Sequence, residues 1–187
     1  INAVLLTFQA ANWTTLKPEL LANLAAGIFI LPFFLFSATA GQLADKYDKA
    51  ALARLVKLLE IGIVLVAGAG FLVHSLAILF VALFLLGLHS TLFGPVKYAI
   101  LPQHLKPEEL VGGNGLVEMG TFVAILAGTI AGGLVVGTGP NGPLWAGTLA
   151  IAIAVAGWLA SRAIPETPAV DPMLAFAWNP FTETWRN

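Results

Sequence analysis

Residues 93–118 read FGPVKYAILPQHLKPEELVGGNGLVE, and the fold turns on how this stretch is taken. It joins two long apolar runs, residues 76–92 and 111–136. Lys97 closes the first run and Glu118 lies inside the second. On a soluble protein such charges would be solvated and ordinary. In hydrocarbon each costs roughly 2.5–3.5 kcal/mol on insertion scales. The flanking sequence decides between these two settings.

The chain has 187 residues, of which 58% are apolar and 10% charged, with a mean hydropathy of +0.88. Soluble domains are about 45–50% apolar and about 25% charged. A chain this short cannot hide the excess in one core, so the composition points to an all-α polytopic membrane bundle. The 19 glycines suit close helix approach in lipid. Without cysteine there is no disulfide framework or thiolate metal site. A net charge of −1 gives no reason to expect a nucleic-acid partner.

Working outward, about 20 apolar residues at 1.5 Å each cross the hydrocarbon. The pattern predicts whole spans near 20–43, 52–73, 76–92, 111–136 and 144–163, with residues 1–11 as the remnant of an earlier one. The chain opens in the middle of that apolar run without a charged leader, so it reads as an internal fragment rather than a signal peptide. Pro32 predicts a kink in its span. Lys106-Pro107-Glu108-Glu109 reads as a helix start, with proline at the first position and acids at the positive end of the dipole. Residues 165–187, rich in proline and mixed charge, form a polar segment outside the bilayer.

Loops at 44–57, 94–110 and 161–187 hold eight of the nine lysines and arginines; only Lys17 lies opposite. The positive-inside rule puts that basic side in the cytoplasm. Lys57 and Glu60, three apart on one helix face, are expected to pair locally near the interface. Asn114, Glu118, Thr121 and Ile125 recur at helical spacing. Such a stripe is expected to face the bundle interior or a wet cavity, because lipid offers its polar groups no partner. Lys97, at the end of the preceding antiparallel span, falls at a similar depth. A cation and a carboxylate so placed suit a zwitterion, Lys97 for a phosphate and Glu118 for an ammonium. A structural ion pair is the plainer alternative. Gly128-x-x-x-Gly132 and Gly133-x-x-x-Gly137 read as helix-contact patterns. His74 and His89 stand isolated and read as structural, with His89 a possible proton relay. No nucleophile–base set, phosphate loop or metal-ligand cluster stands out, so neither catalysis nor a cofactor is expected of this stretch.

Two segments carry a family resemblance. Gly41-Gln42-Leu43-Ala44-Asp45-Lys46, followed by Lys49 and Arg54, resembles the loop signature between the second and third helices of the major facilitator superfamily. Asp48 stands where that signature commonly has a second glycine. FGPVKYAILPQHL with ELVGGNGLVEMGTFVAILAGTIAGG resembles the bacterial lysophospholipid transporter branch. Residues 171–185 resemble the versions fused to acyltransferase and acyl-activating domains.

The resemblance implies the N-terminal six-helix half of such a transporter, its first helix truncated and residues 165–187 leading to a missing second half. It implies movement of a lysophospholipid across the bacterial inner membrane for re-acylation, with the bilayer and an acyltransferase as partners. It also implies a gate at Gly41, Asp45 and Arg54, in which the Asp45 carboxylate meets a helix N-terminus of the other half and pairs with Arg54. A facilitator exporting another small amphiphile, a transporter module of a multifunctional acyltransferase, and a non-transporting scaffold remain as alternatives.

Overall fold

Each apolar run folds as one helix, and what starts and stops it is local chemistry. The computed structural model describes residues 14–136 and 138–176. The expected remnant at 1–11 therefore lies outside the described residues, as does the end of the 165–187 segment. Helix α1 spans Pro18–Lys46, with proline and Glu19 in its first turn and Lys46 in its last, matching the helix dipole at both ends. Helix α2 spans Lys49–Leu72 and is capped by Asp48, whose carboxylate accepts the Ala51 N–H at 2.6 Å. His74 then turns the chain at φ 54°, and the Ser75 hydroxyl accepts the Ile78 N–H to open α3, Leu76–Ala99. A short turn of helix, α4, follows at Leu101–His104. A 3-10 turn at Pro107–Glu109 leads into α5, Leu110–Val136. There the Glu109 carboxylate accepts the Lys106 N–H at 2.9 Å, which bears out the helix start read from the sequence. A second 3-10 turn, Gly139–Asn141, precedes α6, Gly142–Ser161.

Among the described residues five helical segments are long and apolar enough to cross a membrane: α1, α2, α3 with α4, α5 with its leading turn, and α6. Two boundaries differ from expectation in ways that matter. Helix α2 begins at Lys49 rather than near Leu52, because Asp48 supplies the cap. Glu60 is then the twelfth of 24 residues, at mid-helix. Helix α3 does not stop at Leu92 but continues through Pro95 to Ala99. Proline removes one helical N–H and crowds the preceding turn. The turn after it is nonetheless fixed by burial, since Val96 is only 2% exposed and packs against Ala44 and Ala53.

Helix α3 is the centre of the bundle, packed on α1 and α2, while α2 also packs on α6. One apolar cluster joins Leu21, Ala25, Phe71, Leu79, Leu83 and Ala146 at the end where α2 turns into α3. The other joins Ala44, Ala53 and Val96 at the opposite end. Between them α1 and α3 touch backbone to backbone. A Cβ on Gly87 would collide with the Phe29 carbonyl oxygen and press on Pro32, which is the small-residue contact that lipid-embedded helices use in place of a hydrophobic drive. Helix α1 passes through Pro32 as a single helix.

Helix α5 lies at the margin, touching α6 and α4 and leaving Leu116, Phe122, Leu126 and Leu134 exposed. Gly128 and Gly133 have nothing within reach of a Cβ. The expected glycine contact is therefore not made at these two positions.

Candidate functional site

The sequence-predicted residues fall into two places, and a third cluster lies at mid-helix on α2 and α3. At the end of the bundle where α1 meets α2, residues 164–174 cross back over the loop. The Thr167 N–H donates to Asp48 Oδ2 at 2.8 Å, and the Lys49 N–H donates to the Thr167 carbonyl at 2.9 Å. Lys49 Nζ and Gln103 Nε2 both donate to the Pro168 carbonyl at 3.2 Å, and His104 Nε2 lies 2.9 Å from the Thr167 hydroxyl. The Asp45 carbonyl takes the N–H groups of Val170 and Asp171, and Lys46 Nζ reaches the Leu174 carbonyl at 2.8 Å. Lys49 and Thr167 are completely buried by this strap.

Of the three residues assigned to the gate, Gly41 faces open space within α1. Arg54 donates to the Ile164 carbonyl at 2.9 Å, with its Nε buried and unpartnered. The Asp45 carboxylate is exposed, and no ion pair with Arg54 forms among the described residues. The carboxylate that organises the loop is Asp48, the residue that departs from the common signature. Its two acceptor oxygens set it apart from a glycine, which has no side chain to take the Thr167 N–H or the Ala51 N–H.

The second place is the junction of α3 and α5. Lys97 Nζ donates to the Thr121 hydroxyl at 3.2 Å and lies 4.8 Å from the Tyr98 ring centroid. Thr121 in turn donates to the Val117 carbonyl. Glu118 is half-buried one turn away from Thr121, and no ion pair joins it to Lys97. Asn114 is exposed and turns back on its own helix, donating to the Leu110 carbonyl at 2.9 Å, and Ile125 is exposed. Of the predicted stripe, the structure thus brings Lys97 to Thr121, with Glu118 as the adjacent carboxylate.

The third cluster was only partly foreseen. Lys57 and Glu60 form the expected pair at 2.8 Å. The two side chains are only 22% and 20% exposed. Lys57 stands 5.0 Å over the Phe93 ring and runs beside Gly157 of α6. His89 of α3, fourteenth of 24 residues, brings its buried Nε2 to 3.6 Å from the same Glu60 oxygen. His89 therefore stands beside an ion pair. Only the α2–α3 register makes that visible.

Comparison with known proteins gives this architecture its class. The family model described as the Major Facilitator Superfamily matches residues 2–187. The chain belongs to the Major Facilitator Superfamily. As a facilitator chain with five helices able to span among its described residues, it is part of a multi-pass membrane protein. It is similar to proteins named lysophospholipid transporter LplT. Over 195 aligned residues it is 30% identical to that of Salmonella heidelberg (strain SL476), covering all of this chain and 46% of the relative. It is 28% identical to that of Cronobacter sakazakii (strain ATCC BAA-894), covering 98% and 44%. With that of Serratia proteamaculans (strain 568) the figures are 30%, 96% and 42%. The facilitator chain thus spans a little under half the length of these relatives. No solved structure matches it.

Proposed function

We propose that this chain is the N-terminal half of a facilitator that moves lysophospholipids, such as lysophosphatidylethanolamine, across the bacterial inner membrane for re-acylation. The observation that carries the reading is the Lys97–Thr121 contact with Glu118 one turn away. It sets a cation on Thr121 and an unpaired carboxylate one turn from that threonine, and these are the two charges a zwitterionic headgroup needs. An unpaired intramembrane carboxylate is expensive unless something ionic visits it. The likeness over nearly the whole chain to proteins named lysophospholipid transporters supplies the substrate class. In this reading Lys97 receives the phosphate, Glu118 the ammonium, and Asn114 lines the approach.

The end that carries Asp45, Arg54 and the strap is the cytoplasmic end, as the basic residues argue. Residues 165–187 lead to the second half of the transporter. Gly41, Asp45 and Arg54 belong to the gate, and Asp45, exposed and unpaired, is free to meet the N-terminus of a helix there. The likeness of residues 171–185 to acyltransferase fusions supports an acyltransferase as fused or associated partner.

The test is uptake of labelled lysophosphatidylethanolamine by inner-membrane vesicles carrying the full-length transporter. Glu118→Gln is expected to cut uptake at unchanged protein level. Unchanged uptake refutes the site, and uptake of a different amphiphile in its place favours an exporter of another substrate.

A further inference from the structure

We propose that the groove between the last turns of α2 and the first turns of α6 binds a two-chain phospholipid of the bilayer, with one acyl chain in the groove and the phosphate at His74. Such a lipid is resident rather than carried, and its site needs only the chain's place in the membrane. The groove holds about 480 Å³, walled by Leu65, Gly68 and Leu72 of α2 and by Leu144, Gly147 and Ile151 of α6. Each set recurs at i, i+3 and i+7, which is one face of a helix. A Cβ on Gly68 or on Gly147 would meet nothing within 4 Å. Glycine in a lipid-embedded contact normally lets two backbones close on each other, as Gly87 does against Phe29. At Gly68 and Gly147 the helices stand apart, and the missing side chains leave room instead.

The dimensions of the groove select its occupant. Helices α2 and α6 run antiparallel, sharing the Phe71–Ala146 cluster at one end and the Arg54–Ile164 bond at the other. The groove therefore starts beside the α2–α3 turn and runs inward. From Leu72 to Leu65, and from Leu144 to Ile151, each wall descends seven residues, about 10 Å at 1.5 Å per residue. One leaflet of a bilayer whose hydrocarbon is about 30 Å thick is about 15 Å deep. The groove covers most of one leaflet and ends there. A 10 Å length of helix, about 10 Å across, fills roughly 800 Å³ and is too thick for a groove of about 480 Å³. An extended acyl chain is thin enough, and the exposed side chains of Leu65, Leu72 and Leu144 give it apolar walls.

The polar groups of the groove sit where a phospholipid needs them. Exposed Trp145, in the first turn of α6, marks the headgroup level, where tryptophan rings collect. His74 lines the groove at the same end, exposed and at φ 54°. An imidazole N–H there is a donor for a phosphate oxygen. Thr148, also in the lining, gives its hydroxyl proton to the Leu144 carbonyl at 2.9 Å and asks nothing of a hydrocarbon chain. Among the described residues no side chain of α3 or α5 lines the groove, whereas Lys97, Thr121 and Glu118 lie on those two helices. A lipid held here is off the proposed headgroup site. Two-chain phospholipid is what a bilayer offers in excess, so mass action fills the groove with it rather than with a scarcer lysophospholipid.

The experiment uses the full-length protein in nanodiscs of phosphatidylethanolamine and phosphatidylglycerol, doped with a phosphatidylethanolamine that carries a diazirine on one acyl chain. Cross-linked residues are mapped by mass spectrometry, and lipid retained after transfer to detergent is weighed on the intact protein. In the parent, label concentrates on residues 65–74 and 144–151 over the exposed Ile153 and Leu159 of the same α6, and one phospholipid stays bound. Gly68→Leu and Gly147→Leu each fill the groove, so the label there falls to the level of Ile153 and the bound lipid is lost. His74→Gly suits the positive φ and removes the imidazole, so less lipid is retained. Excess lysophosphatidylethanolamine leaves the labelling of the parent unchanged.

Label spread evenly along α6 overturns the proposal, as does groove label that survives both glycine substitutions. Groove residues that stay unlabelled, or that cross-link to a second copy, reveal a protein surface there and overturn it too. Displacement by lysophosphatidylethanolamine assigns the groove to the substrate and overturns the resident lipid. Full retention in His74→Gly overturns the placement of the phosphate. If Gly68→Leu fails to insert, Gly147→Leu fills the groove from the other wall, and the labelling of the parent decides by itself.

Discussion

The Asp48 carboxylate accepts the backbone N–H of Thr167 at 2.8 Å, across 119 residues of sequence. The same side chain caps α2 through Ala51. Asp48 therefore sets where α2 begins and also holds residues 164–174 against the end of the bundle. The two roles can be separated. Asp48→Gly retains most of the cap, costing a few tenths of a kcal/mol there, whereas Asp48→Ala loses about 1 kcal/mol of cap. Both remove the grip on Thr167. Limited proteolysis between residues 165 and 176 is expected to quicken equally in the two variants. Thermal unfolding in detergent should fall further for alanine than for glycine.

Gly87 and Gly94 lie on the same helix and make opposite predictions. A methyl on Gly87 meets the Phe29 carbonyl, so Gly87→Ala must push α1 and α3 apart at a cost of about 1–3 kcal/mol. Gly94 has nothing within reach, and Gly94→Ala is expected to gain roughly 0.5–1 kcal/mol from helix propensity. Thermal stability of the two variants, measured side by side by size-exclusion chromatography, checks both signs. Equal effects would mean that α1 and α3 do not meet at Gly87.

The spans were legible because length and apolarity alone demand them, and the Lys57–Glu60 pair because i and i+3 share a helix face. The helix start was not legible. The Asp48 cap extended α2 by about a turn, so that Glu60 falls at mid-helix. Pro95 read as a terminator because local rules disfavour it, but burial of Val96 held the helix together. The strap left no trace in sequence, since most of its acceptors are backbone carbonyls that any residue carries. The approach of His89 to Glu60 depends on the register of α2 against α3, which no spacing along one chain reveals. At the candidate headgroup site, the charged residues were legible individually. That Lys97 would choose Thr121 over Glu118 was not.

The Lys57–Glu60 pair yields a double-mutant prediction. Lys57→Met leaves Glu60 as an unpaired carboxylate at the helix centre, a cost of about 2.5–3.5 kcal/mol on insertion scales, reduced by the fifth of that side chain left exposed. Replacing both residues by methionine removes the stranded charge, and swapping a buried pair for apolar side chains is often near neutral. The double variant is therefore expected to be more stable than Lys57→Met alone. The cycle is read from the yield of folded protein and its unfolding midpoint. Additive losses would show that Glu60 does not depend on Lys57.

Thr121 is where the headgroup reading is most exposed to failure, because it touches Lys97 and no other part of the proposal requires it. Thr121→Val keeps the shape of the side chain but removes the acceptor for the ammonium. Lys97 then keeps only the Tyr98 ring face as a close partner and is free to turn toward Glu118, one turn away. A Lys97–Glu118 pair would satisfy both charges internally and withdraw them from a zwitterion. A net hydrogen bond of about 1 kcal/mol corresponds to roughly a fivefold loss of lysophosphatidylethanolamine uptake. Thr121→Ser retains the hydroxyl and is expected to transport like the parent. Adding Glu118→Gln to Thr121→Val should cost little more, since the carboxylate is already occupied. Full transport by Thr121→Val would mean that Lys97 is anchored elsewhere when lipid is bound.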